Sequence, residues 1–200
     1  MIRWTMSLLL LTTLPLCASE SFELAELQAA ATHDRFLRIP FVQSKQLALF
    51  PEPVETAGVL EIARPLAAVR WEFTGRSTLI LRDGGTRRWA SDGSEESVGA
   101  GPAAEALAAQ MGALLSGDWS GLDELFTIEA SRIDGRPQLT LTARGADLPR
   151  HITAIDIVFQ DDLSAPARLV IRAPGGDETS YTFARSERPD TIAAERFDGP

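Results

Sequence analysis

Cysteine and histidine are nearly missing from this chain. Its one cysteine is Cys17, and its two histidines are His33 and His151. A zinc site of the Cys/His type is therefore excluded, and a His-rich metal site has too little material; we expect no metal and no cofactor. A lone cysteine makes no internal disulfide, so the core must hold the fold unaided. Basic charge is also scarce, with 19 Lys and Arg against 28 Asp and Glu for a net charge of -9. The basic residues are scattered, so the phosphate-binding footprint of a nucleic-acid protein is missing. There is no GxSxG elbow, phosphate loop or dinucleotide fingerprint, and Gly99-Ala100-Gly101-Pro102 is a poor substitute. The acidic pairs Glu95-Glu96 and Asp161-Asp162 fall in turn-like segments and read as solvated charges rather than an acid/base dyad. We expect no enzyme.

Long apolar runs are limited to the N-terminus, where Arg3 precedes an apolar stretch from Trp4 to Leu16 and the small residues Ala18 and Ser19 follow. This reads as a secretory signal peptide over residues 1–18, leaving a single exported domain over 19–200. Nothing later is long and apolar enough for a spanning helix, so only peripheral membrane contact is expected. Leu14-Pro15-Leu16-Cys17 also has the leucine and cysteine of a lipoprotein signal, but the bulky Leu16 stands where a small residue belongs, which favours ordinary cleavage.

What is present is mostly strand pattern. Ser21 can cap a short amphipathic helix whose apolar members run from Phe22 to Ala31. Phe36 to Phe50 reads as extended and ends at Pro51-Glu52-Pro53, and Thr78 to Leu81 turns at Asp83-Gly84-Gly85 into Arg88-Trp89-Ala90. Ser91 to Gly101 reads as a loop. From Pro102 a helical stripe of Ala103, Leu107, Met111, Leu114 and Leu115 ends at Gly117, and a second short helix spans Asp118 to Phe126. Beyond it lie Thr127–Ile133, a turn at Asp134-Gly135, Leu139–Ala143, Ile152–Gln160, Ala167–Ala173, a turn at Gly175-Gly176, and Thr179–Phe183. Hairpin turns between alternating strands make an antiparallel meander. The tail from Glu187 is polar, with Phe197 able to dock on an edge.

Gly58 to Phe73 stands apart, reading as a strand with a charged interruption. Alternation puts Leu60, Ile62 and Arg64 on one face, and Pro65 favours an edge, a bulge or a break before Val69, Trp71 and Phe73 resume on one face. A guanidinium among aliphatic side chains must find acceptors. The fold class that follows is α+β, with one curled antiparallel sheet and about three short helices. Curling leaves an interior lined by Leu60, Ile62, Trp71, Leu79, Leu81, Met111, Ile155 and Ile157, and periodicity leaves open whether it is filled or hollow.

The ordered set Phe41 to Lys45, Gly58 to Pro65, Arg70-Trp71-Glu72, Leu81 to Gly84 with Trp89, and Gly176 to Phe183 resembles the LolA-type outer-membrane lipoprotein carriers over nearly the whole mature chain. The resemblance implies an incomplete β-barrel whose mouth is covered by a helical lid over a hydrophobic cavity for acyl chains, to which Leu107 would contribute. By position Arg64 corresponds to the arginine that holds the lid closed, with acceptors expected near Gly99 to Gly101. A monomeric periplasmic carrier is implied, receiving acylated lipoprotein or other lipid-linked cargo from an inner-membrane release complex and passing it to an outer-membrane acceptor. Ala67-Ala68 replaces a bulky aromatic of the best-known carriers, which suggests a divergent branch. Other readings are a LolB-like anchored acceptor acylated on Cys17, a periplasmic lipoprotein-sensing module with a filled core and, weakest, a hydrolase on this scaffold.

Overall fold

The computed structural model describes residues 24–31, 33–82, 85–97 and 121–200. A helix, α1 (Leu24–Ala31), leads into eleven strands: β1 (Phe36–Gln46), β2 (Val54–Ala63), β3 (Ala68–Phe73), β4 (Ser77–Arg82), β5 (Gly85–Ala90), β6 (Glu95–Glu96), β7 (Phe126–Ile133), β8 (Arg136–Ala143), β9 (Ala154–Phe159), β10 (Pro166–Arg172) and β11 (Glu178–Phe183). A single-turn helix, α2 (Leu122–Leu125), stands before β7. The expected signal peptide, the helix carrying Leu107 and Met111, and the turn residues Asp83 and Gly84 lie outside the described residues.

The strands form one antiparallel sheet in the order β6-β5-β4-β3-β2-β1-β11-β10-β9-β8-β7, with β6 and β7 as its two edges rather than a closing pair. Two hairpin meanders are thus joined through β1 and β11, which pair from Phe41↔Phe183 to Gln46↔Glu178. This is the expected α+β incomplete barrel. Asp134 and Gly135 both take positive φ, 52° and 76°, the conformation that lets a two-residue turn match the strand twist between β7 and β8. Pro40 lies inside central β1, where a missing donor should be costly. Its carbonyl accepts from Ala184 N at 2.8 Å, so its nitrogen faces the Ala184 carbonyl. The Gln160 side chain donates to that carbonyl at 3.0 Å, replacing the lost bond.

Gly58 to Phe73 is a hairpin, not one interrupted strand. β2 and β3 pair from Gly58↔Phe73 to Ala63↔Ala68, and the chain reverses through a 3-10 turn at Arg64–Leu66. Pro65 enters at the start of that turn, where its fixed φ suits helical geometry and no donor is needed. Ala67 closes it with φ 45°, a left-handed conformation uncommon for a residue with a Cβ. β2 ends at Ala63, so Arg64 does not continue the Leu60 and Ile62 face.

Strand alternation sorts the core into two layers. The inner face carries a continuous cluster from Leu37, Ile39 and Phe41 through Leu60, Ile62, Val69, Trp71 and Leu81 to Leu139, Leu141, Ile155, Ile157, Leu169, Tyr181 and Phe183, with Leu27 of α1 and Leu122 of α2 packed into it. The outer face of β2–β5 carries a smaller cluster of Ala63, Ala68, Ile80, Trp89, Ile192 and Phe197. Phe197, on a 3-10 turn at Ala194–Phe197, is 1% exposed. It docks on the face of the sheet over β3 and β4, not on an edge, because Ala63 and Ala68 leave room there between larger neighbours.

Candidate functional site

The inner face places the expected lining residues in register. Leu60 faces Trp71 and Trp71 faces Leu79, while Ile62 faces Val69 and Val69 faces Leu81. Across the sheet Ile155 lies between Leu141 and Ile171, and Ile157 between Leu139 and Leu169. Leu60, Ile62, Trp71, Leu81, Ile155 and Ile157 are buried in one cluster, against which the partly buried Leu79 packs. Leu107 and Met111 lie outside the described residues.

One end of this face is aromatic. Phe41 meets Trp71, Phe73 and Tyr181 edge-on at ring-centroid distances of 5.9, 5.4 and 5.8 Å. Trp71 stacks on Phe73, and its centroid is 5.0 Å from that of Tyr181. Phe41 fits because the residue opposite it is Gly58. A Cβ on Gly58 would come within 2.3 Å of both Phe41 Cζ and the Glu72 carbonyl oxygen. Gln43 Nε2 donates to the Tyr181 hydroxyl at 2.6 Å inside this cluster. Burial raises the hydroxyl's pKa to about 12, with the Gln43 bond opposing. Gln43 and Tyr181 escaped the sequence reading of the interior, although Gln43 shares the alternation of Leu37, Ile39 and Phe41.

Arg64 ties the β2–β3 turn to the segment that connects α1 to β1. Its backbone N donates to Arg35 O at 3.0 Å, and its guanidinium donates to the Asp34 carbonyl. Burial lowers its pKa and the charge of Asp34 opposes that shift. The Asp34 carboxylate in turn accepts from Arg188 at 2.9 Å, which also reaches Asp162 and Ser164. The acceptors expected near Gly99 to Gly101 lie outside the described residues; the acceptor seen here follows α1 instead.

On the outer face Arg38, Glu61 and Arg70 stand in one cross-strand row. Glu61 is 3% exposed and accepts from Arg196 Nε at 2.8 Å, and Arg70 pairs with Glu72 at 3.0 Å. Burial lowers the Arg70 pKa, Glu72 opposes, and the neighbouring Arg196 lowers it further. Asp198 is held by Arg82 at 2.6 Å and by Arg87. These contacts fasten the C-terminal segment, a structural task that buries Glu61 and Arg70 and leaves Arg38 exposed. Among the described residues no three His, Cys, Asp or Glu side chains gather as metal ligands would, and no helix is long and apolar enough to cross a membrane.

Known structures share this architecture at low identity. A DUF1329 family protein from Desulfovibrio piger matches with a TM-score of 0.51 and 8% identity, over 86% of this chain and 93% of that one. A LolA superfamily protein from Nitrosomonas europaea matches with a TM-score of 0.42 and 8% identity over 86% and 96%. MucB in the MucA/MucB complex of Pseudomonas aeruginosa matches with a TM-score of 0.42 and 14% identity, this chain spanning 58% of that one. No curated protein matches the chain. The family model described as outer membrane lipoprotein carrier protein LolA matches residues 35–199, which takes in every strand and the tail that straps them: the chain belongs to the LolA family.

Proposed function

We propose that this protein is a periplasmic carrier that takes up the acyl chains of a lipoprotein or other lipid-linked cargo against its inner face and delivers them toward the outer membrane. The observation that carries this reading is the inner face itself. It is a continuous apolar layer drawn from both halves of an unclosed sheet, with the Gln43–Tyr181 pair and the Thr56 that faces Gln43 as buried polar groups at its aromatic end. Moving acyl chain from water onto such a surface is worth about 0.8 kcal/mol per methylene, so a long chain binds tightly and needs help to leave. In this reading Arg64 supplies that help. Its bonds to the Asp34 and Arg35 carbonyls favour the closed form, and cargo shifts the population to the open one. An inner-membrane donor and an outer-membrane acceptor are the implied partners, and residues 1–18 act as the export signal. Displacement of a fluorescent fatty acid by unlabelled acylated peptide tests the proposal; a protein that takes up neither is no carrier.

A second reading has one observation in its favour. Leu37, Ile39 and Leu60 are each 0% exposed, as they would be in a filled core serving a protein-binding module without lipid uptake.

A further inference from the structure

We propose that the Trp71 indole N–H and the Tyr181 hydroxyl form a donor pair that binds a carbonyl-type oxygen of the ligand, so that the inner face selects ester- or amide-linked acyl groups over bare hydrocarbon. The inference rests on the carrier reading and deepens it.

Its basis is a donor without an acceptor. Trp71 is 5% exposed, and among the described residues its buried Nε1 has no hydrogen-bond partner. Such a group loses its water on folding and gains nothing in return, and native interiors rarely leave one so. Indole is a donor only, so whatever satisfies it must bring an oxygen or another acceptor.

The nearby polar side chains are engaged with each other. Tyr181 and Gln43, both more than nine-tenths buried, are joined to each other at 2.6 Å. The hydroxyl accepts from Gln43, and among the described residues no acceptor takes its proton. The hydroxyl stays protonated at any working pH, since burial holds its pKa near about 12.

The two rings are held side by side. Trp71 and Tyr181 have ring centroids 5.0 Å apart, and Trp71 is clamped by stacking on Phe73 and by the edge of Phe41. A carbonyl oxygen with its two lone pairs can accept from both donors, whereas a methylene offers nothing. The surrounding Leu60 and Leu79, in register with Trp71, would hold the adjoining chain.

The test compares methyl myristate with n-pentadecane on the full mature chain labelled with nitrogen-15 tryptophan. Binding of each is followed by displacement of a dansylated fatty acid, and the Trp71 indole resonance is read in proton–nitrogen correlation spectra. Both probes displace the label, and only the ester moves the indole proton downfield. Trp71→Phe, and independently Tyr181→Phe, lower the ratio of ester to pentadecane affinity roughly five-fold, the effect of one net hydrogen bond. If both probes bind and the indole responds to them alike, the donor pair reads no oxygen and the proposal is overturned while the carrier reading stands. If neither binds, the carrier reading fails and this proposal falls with it. Should Trp71→Phe misfold, the wild-type indole shift and Tyr181→Phe still decide.

Discussion

Gly58→Ala is expected to damage the fold far more than a single methyl suggests. The new Cβ would lie 2.3 Å from Phe41 Cζ, 2.7 Å from Phe41 Cε1 and 2.3 Å from the Glu72 carbonyl oxygen, against a comfortable carbon–carbon separation of about 3.5–4.0 Å. Relief in one direction requires moving Glu72 backbone, which sits in the β2–β3 ladder opposite Val59. Relief in the other requires moving a 3%-exposed ring that touches Trp71, Phe73, Tyr181 and Phe183. Neither neighbour is the free end of a flexible chain. Overpacking ordinarily costs 1–3 kcal/mol, and with two rigid obstacles we expect roughly 3 kcal/mol or more. Urea unfolding followed by far- and near-ultraviolet circular dichroism measures the loss, and a cycle with Phe41→Ala apportions it, since removing the ring should relieve part of the clash. A loss below about 0.5 kcal/mol, the usual range of an inconsequential surface change, would show that Phe41 does not lie across Gly58 and would refute the packing of the aromatic end.

Three further outcomes follow from the same contacts. Phe197→Ala should cost about 3–5 kcal/mol as a buried aromatic truncation and shift the fluorescence of Trp89, which shares its cluster; an unchanged denaturation midpoint would mean that the tail is not docked on the sheet. Tyr181, the only tyrosine in the chain, should ionise near pH about 12 rather than 10 in a difference-absorbance titration. Because the native state then holds a proton that the unfolded state has released, stability should be unaffected below about pH 10 and fall by about 2–3 kcal/mol as pH rises from about 10 to about 12, a slope that Tyr181→Phe should abolish. Arg64→Leu should leave cargo loading intact and slow transfer to an acceptor, measured as release of a labelled lipoprotein; normal transfer would remove Arg64 from the release step.

The later strands and their turns were legible because Asp134-Gly135 and Gly175-Gly176 carry the residues that reversed backbone angles require. The β2–β3 reversal was not, since Arg64-Pro65-Leu66-Ala67 has no glycine or asparagine and relies on an alanine in left-handed conformation. Alternation assigned Leu60, Ile62 and Trp71 to a shared interior, and the register agrees. It missed that Glu61 and Arg70 are also buried, because their cover comes from residues more than a hundred positions away, and sequence period carries no record of that. The pairing of β1 with β11, and with it the Gln43–Tyr181 bond, is of the same long-range kind. Arg64 was found as a charge needing acceptors; which carbonyls it would meet depended on how α1 enters β1.

The central claim is that the inner face holds acyl chain, and native mass spectrometry of the protein purified from its own periplasm tests it most directly. We predict a population heavier than the polypeptide by the mass of an acylated molecule, lost on delipidation and regained on exposure to acylated cargo. A single species at the bare polypeptide mass, unchanged by that exposure, would contradict the account.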